Sequence, residues 1–296
     1  MASGEQTMIG RTCIVTGAAT GLGPAVAQGL ARLGAQVLLV APSESAAQHI
    51  AETIRQEVAH ARIVPLGADL SSQSQVRHLA DTILGSYPQI DVLVHGLAAR
   101  FPQRHESVDG IEMTLAVNVL APFLLTNLLL DLCRACAPMR IVTLSSERHR
   151  QAVLDLDDLQ TRGAYRCPEV CARCRLANLL LTYELSRRLS DIGITANAVD
   201  PGGQAFEALA ADCEHPEGTW ARISRRVRTL GHNGGSESSA ADVVVALASE
   251  PRYEGTTGQY YVRGHPTRSS EASYDPVAAR RLWEMSAALT YFPALA

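Results

Sequence analysis

Thr16-Gly17-Ala18-Ala19-Thr20-Gly21-Leu22-Gly23 is flanked by an apolar, β-like run over residues 12–16 and a helix-like run over residues 24–33. A chain turning sharply from strand into helix needs residues without a Cβ at its positive-φ positions, and a phosphate-bearing ligand needs that backbone at close range. Gly17, Gly21 and Gly23 meet both needs, with Leu22 carried between them. Pro24 has its φ preset for a first helical turn, so the orphan N–H groups of that turn face an anion in front of the glycines. The stretch reads as a cradle for a dinucleotide pyrophosphate. A plain βα turn is the competing reading, and the strand before and helix after argue against it.

The chain has 296 residues, enough for one α/β unit with a single large core. With 19% charged residues and a net charge of -4 it offers no basic face for nucleic acid, so a small-molecule partner is expected. No apolar run approaches the roughly 20 residues needed to cross a bilayer, and the polar start MASGEQ lacks an apolar signal core. The expectation is a cytoplasmic protein with no membrane partner. All 26 basic residues are arginine, which excludes a Schiff-base, P-loop or general-base lysine. The 7 cysteines read as thiols in a reducing compartment. Cys133/Cys136 and Cys171/Cys174 have zinc-like spacing, but they fall at opposite edges of the expected sheet, too far apart for one ion, so no metal site is expected.

Strand-like and helix-like patterns alternate along the chain, the signature of a parallel sheet covered on both faces. Strands are expected at 12–16, 36–41, 62–67, 91–95, 140–144, 195–199 and 259–262. Helices are expected near 24–33, 45–60, 72–84, 111–132, 171–189, 240–248 and 275–289, the last capped by Asp275 with Pro276 in its first turn. The result is a single doubly wound α/β domain over residues 1–296 with about seven parallel strands. Residues 203–235 lack a clear period and are expected to form a substrate lid.

The motifs together resemble the short-chain dehydrogenase/reductase family, nearest its retinol-dehydrogenase-like branch. They are TGAATGLG, the Asp69-Leu70 pair after the third strand, VNVLAPFLLTNLLL around Asn118, IVTLSS ending at Ser146 and CRLANLLLTYELSRRL from Cys174. The tail segments GQYYVRGHP and ARRLWEMSAALT add to the likeness. The resemblance covers residues 10–290 and implies a Rossmann domain binding NADP or NAD. By the resemblance Gly17, Gly21, Leu22, Gly23, Ser43, Asp69, Pro201 and Gly202 contact the cofactor. It also implies a homodimer through the helices near Ile111 and Cys171, with Leu128, Leu129, Leu180 and Leu181 on its surface.

In that family a tyrosine and a lysine one helical turn apart move the proton, helped by a serine and an asparagine. Laid on CARCRLAN, those two positions fall on Cys171 and Arg175, while Ser146 and Asn118 keep the others. A thiol ends short of where a phenol oxygen would be, and arginine does not relay protons. His95-Gly96-Leu97-Ala98 replaces the family's Asn-Asn-Ala-Gly, and no threonine closely follows Pro201-Gly202. The candidate catalytic set is Ser146, Asn118, Cys171, Arg175, His149 and Glu147. Cys171 reads either as a nucleophile activated by Arg175 or as a small residue enlarging the pocket. Asp200 reads either as a site residue or as a turn residue. The expected function is a biosynthetic enzyme using a non-redox step on a small, mostly apolar intermediate. An NADP(H)-dependent carbonyl or alcohol oxidoreductase with a substitute acid, His149 or water, and a non-catalytic dinucleotide-binding protein are the alternatives.

Overall fold

The computed structural model describes residues 7–19, 21–189, 191–202, 211–212 and 236–292. The lid expected at 203–235 lies outside the described residues apart from two positions in strand β8. Ten strands are described: β1 (Thr12–Thr16), β2 (Gln36–Ala41), β3 (Arg62–Gly67), β4 (Val92–His95), β5 (Ala99–Arg100), β6 (Met139–Leu144), β7 (Ile194–Asp200), β8 (Ala211–Asp212), β9 (Tyr260–Val262) and β10 (His265–Pro266). The helices are α1 (Gly23–Arg32), α2 (Glu44–Glu57), α3 (Gln73–Ser86), α4 (Met113–Leu115), α5 (Ala121–Ala135), α6 (Cys167–Arg188), α7 (Ser236–Ser249) and α8 (Pro276–Leu289).

Strand order in the main sheet is β10-β9-β7-β6-β4-β1-β2-β3, parallel throughout except for the short β9–β10 hairpin. The hairpin makes eight strands where about seven were expected. Period-two alternation splits the apolar side chains between two layers. Ile14, Leu38, Leu93 and Ile141 face α3, α5, α6 and α8. Val15, Leu39, Val94 and Val142 face α1, α2 and α7. Pro65 lies in β3, at the edge of the sheet, where a missing N–H costs no ladder bond. Chain direction across the sheet reverses between β1 and β4, so the loops beyond those strands part there and leave a crevice at their carboxyl ends.

Two expectations change. Met113–Ala135 is a nearly continuous apolar helix long enough to cross a bilayer, against the expectation that no such run exists; it is mostly buried within the fold and serves as a core helix. The leucines assigned to a dimer surface are largely used inside the chain. Leu129, Leu180 and Leu181 are buried and Leu128 is partly so, in the layer that also contains α8. Trp283 of α8 meets the Phe123 ring edge-on with centroids 4.8 Å apart, and the Arg188 guanidinium covers it at 4.5 Å. The surplus apolar content of these helices is thus met by the C-terminal helix. Trp283→Ala is expected to lower unfolding free energy by about 3–5 kcal/mol, to be measured by urea denaturation, and to expose the α5–α6 face.

Candidate active site

The glycine turn sits at the crevice. Gly17 has φ +70°, and a Cβ on it would lie 2.7 Å from the Leu97 backbone beyond β4. A Cβ on Gly23 would overlap the Gly17 carbonyl and Ala18 Cα. Both positions therefore exclude larger residues on steric grounds. Leu22 is the buried N-cap of α1 and supplies no side-chain cap, leaving the first-turn N–H groups to an external acceptor. Gly21 has φ +55° in the same turn.

Ser43 and Asp69 follow β2 and β3 at the same edge. Ser43 Oγ accepts the Ala46 N–H at 3.2 Å as the cap of α2. Asp69 Oδ1 accepts the Ser71 N–H at 2.9 Å. No carboxylate ends β2, and the nearest, Glu44, is turned back to accept the Gly67 N–H at 3.0 Å. Beyond β7, Pro201 is buried and Gly202 has φ +86°. Asp200 settles as a turn residue: Oδ1 accepts the Gly202 N–H at 2.7 Å and Oδ2 the Glu147 N–H at 2.9 Å, joining the ends of β6 and β7.

Ser146 is the last extended residue after β6, and its Oγ is buried without a hydrogen-bond partner among the described residues. A buried hydroxyl left unmatched costs about 1–3 kcal/mol unless something binds there. Its neighbour Ser145 faces the other way and donates to the Arg175 carbonyl at 3.4 Å. Asn118 lies in a π-turn spanning Ala116–Leu120, a local form frequent at functional sites. Its Nδ2 donates to Ala99 O and Thr114 O at 2.9 and 2.8 Å, and Oδ1 accepts the Ala99 N–H at 2.9 Å. The amide braces β5 against α4, where a free polarising group was expected. The Asn118 carbonyl in turn accepts from Asn178 Nδ2 at 3.1 Å.

Cys171 and Arg175 lie one turn apart on α6. The guanidinium pulls the Cys171 thiol toward ionisation, but a hydrogen bond with Cys167 and burial dominate and raise its pKa. Cys171 is not an activated thiolate. His149 was expected on the surface as an acid or base, and it is fully buried. Its Nε2 accepts the Ser270 N–H at 3.1 Å, which fixes the proton on Nδ1, donated to the Ser146 carbonyl at 2.7 Å. Burial, the largest effect, lowers its pKa. It is a tether between the turn after Ser146 and the segment before α8. Glu147 is also committed, one oxygen pairing with Arg150 and the other accepting from Tyr260 at 3.1 Å; despite opposing burial, its pKa is lowered by those two bonds.

Sequence reasoning missed Cys167, and it set Tyr165 aside as outside the register of the helix that carries Cys171 and Arg175. Tyr165 donates to the Phe101 carbonyl at 2.9 Å and lies 2.8 Å from Thr114 Oγ1, and burial raises its pKa. α6 starts four residues before its expected start, and the available signal was Pro168 with Glu169 in a first turn. Among the described residues no His/Cys/Asp/Glu group has metal-site geometry.

The short chain dehydrogenase family profile matches residues 11–156. Retinol dehydrogenase 14 of Mus musculus is 32% identical over 296 aligned residues, covering 94% of this chain and 85% of that protein. The chain belongs to the short-chain dehydrogenase family. A crystallised protein of Mycobacterium Paratuberculosis matches with TM-score 0.74 and 27% identity over 97% of this chain and 96% of that one. A Beutenbergia cavernae structure assigned as an NAD(P)-dependent gluconate 5-dehydrogenase, holding NADP at low occupancy, matches with TM-score 0.63 and 26% identity over 88% and 97%.

His95 of β4 points into the core, its Nε2 2.8 Å from Thr126 Oγ1, and burial depresses its pKa to about 3. A neutral histidine in the folded state binds fewer protons than in the unfolded chain, where its pKa is about 6.5. Its contribution to stability is complete above that value and is lost as pH falls toward about 3. His149, also depressed, adds in the same direction. Folding stability is expected to fall by about 1.4 kcal/mol per pH unit from His95 alone below pH of roughly 6. In denaturant titrations at stepped pH, His95→Asn should reduce that slope by about one proton's worth.

Proposed function

We propose that this protein is an NADP(H)-dependent oxidoreductase interconverting a small-molecule alcohol and its carbonyl compound. The observation that carries the reading is Ser146: a buried hydroxyl without a partner, beside the crevice opened by the β1–β4 reversal. The dehydrogenase relatives support it. The uncapped start of α1 and the Gly17–Gly23 turn fit a pyrophosphate. Gly17, Gly21, Leu22 and Gly23 would hold it, Ser43 and Asp69 the adenosine end, and Pro201 and Gly202 the nicotinamide end. The 2′-phosphorylated form is favoured because Glu44, the carboxylate nearest the end of β2, is turned to the Gly67 N–H and does not face a ribose diol, while Ser43 can bond either form. When bound, the nicotinamide supplies or accepts the hydride.

By the family resemblance Cys171 and Arg175 replace the tyrosine and lysine. The remaining groups then divide the work. Ser146 Oγ–H donates to the substrate oxygen and holds the carbonyl in place. His149 is excluded as the acid because both ring nitrogens are engaged in the tether. The proton instead comes from water in the space that a phenol would fill above Cys171, with the Arg175 charge favouring the alkoxide. A redox reaction is preferred to the non-redox step because the similar proteins are dehydrogenases; with Glu147 and His149 both held in structural bonds, water is the remaining substitute acid.

The test is NADPH consumption with a panel of aldehydes and ketones. Ser146→Ala is expected to lower turnover by about 10²-fold or more with the fold intact. Cys171→Tyr with Arg175→Lys should raise carbonyl reduction by restoring a direct acid. Turnover that proceeds without any nicotinamide cofactor, or no binding at millimolar NADPH, overturns the proposal.

A further inference from the structure

Cys167 is the first residue of the 22-residue helix α6, with Arg166 as the preceding residue. Its Sγ lies 3.9 Å from Cys171 Sγ, one turn on. It also lines a cavity of about 610 Å³ with Arg100, Pro102, Tyr165, Arg166 and Glu169. A sulfur at a helix N-terminus is stabilised as thiolate by the helix N–H groups; the Arg166 guanidinium beside it is paired with Glu169 at 3.4 Å. The inner sulfur has the opposite setting. Cys171 lies one turn further into the helix, and its hydrogen bond with Cys167 helps it keep its proton. One sulfur faces the cavity as a nucleophile while its neighbour holds a proton toward it.

We propose that Cys167 is a site of oxidation by hydroperoxides, and that Cys171 resolves the product to a reversible Cys167–Cys171 disulfide. In the first step the Cys167 sulfur attacks one peroxide oxygen and the O–O bond breaks. With hydrogen peroxide, the departing hydroxide takes up the proton that the Cys167 thiol released to solvent on ionising and becomes water, leaving a sulfenic acid on Cys167. In the second step the Cys171 sulfur attacks the Cys167 sulfur, the S–O bond breaks, and the hydroxyl leaves with the Cys171 proton as water. Two thiols lose two electrons and one peroxide becomes two waters.

Residues four apart in a helix have Cα atoms about 6.2 Å apart, inside the range of roughly 4.4–6.8 Å that disulfides accept. Closing the sulfurs tightens only the first turn, where the Cys167 N–H has no intrahelical partner to lose. Cys174 is the third thiol on this part of α6, but it is buried and directed at the Thr114 carbonyl at 3.8 Å. It is too enclosed to be the resolving group.

Trypsin cleavage after Arg166 and Arg173 releases residues 167–173, which contain these two cysteines and no other. The full chain is treated with hydrogen peroxide, remaining thiols are alkylated, and the peptide is weighed. The expected product is two hydrogens lighter, unalkylated, and restored by a dithiol reductant. Cys171→Ser should stop at a sulfenic acid on Cys167 that a cyclic diketone traps, and Cys167→Ser should give neither product. Circular dichroism checks that both serine variants keep the fold. A peptide that stays doubly alkylated at a peroxide dose that oxidises the half-exposed Cys136 overturns the proposal. So does diketone capture at Cys171 in Cys167→Ser. These readouts need no turnover, so they stand or fall apart from the oxidoreductase reading.

Discussion

The close approach of two backbones at the β1–β4 reversal is the constraint on which the site depends. Gly17 beyond β1 and Leu97 beyond β4 meet at a separation that no Cβ could enter. That contact requires glycine and aims the uncapped end of α1 into the crevice. It also fixes where β4 delivers the chain toward β5. The remaining site groups are then positioned relative to this crossing by three braces. The Asn118 amide holds Ala99, the Asp200 carboxylate ties the ends of β6 and β7, and His149 ties the turn after Ser146 to residue Ser270.

These braces explain why Ser146 has a defined orientation and no partner. Its backbone carbonyl is taken by His149, and the following amide is taken by Asp200. The adjacent Ser145 is tied to α6. The hydroxyl of Ser146 is the polar group in that turn left to meet something from outside, buried beyond the reach of bulk water. An ordered donor held in a low-dielectric crevice costs little reorganisation when charge develops beside it. The C-terminal segment thus contributes to the site through Ser270, besides sealing the α5–α6 layer with Trp283.

The local parts of this architecture were legible in the sequence. β1, β2 and β3 fall where their apolar runs predict, and the glycine turn identifies the crevice because its constraint is steric and local. Ser146 follows from its place after a strand. What was not legible depends on partners distant in sequence. His149 sits in a polar stretch, Glu147-Arg148-His149-Arg150, that reads as solvated, and its burial arises from residues more than a hundred positions later. Asn118 reads as a site residue, yet its side chain is consumed by Ala99 through a π-turn that no helical periodicity signals. The apolar content of α5 and α6 suggested a second subunit, and the chain's own C-terminal helix covers part of it.

The titrating groups around the crevice share one property. Burial pushes His95 and His149 down, hydrogen bonds hold Glu147 down, and Cys171 and Tyr165 are pushed up by their surroundings. The chain contains no lysine, and an arginine side chain does not exchange its proton in a catalytic cycle. These shifts favour the neutral form of the two histidines, the thiol and the phenol, and the ionised form of Glu147. In the reaction proposed above, proton traffic would fall to hydroxyl groups and water, which bridge without ionising. Electrostatic assistance in that proposed reaction would come from fixed charge and fixed dipoles: the guanidinium of Arg175, the N-terminus of α1 and the hydroxyl of Ser146.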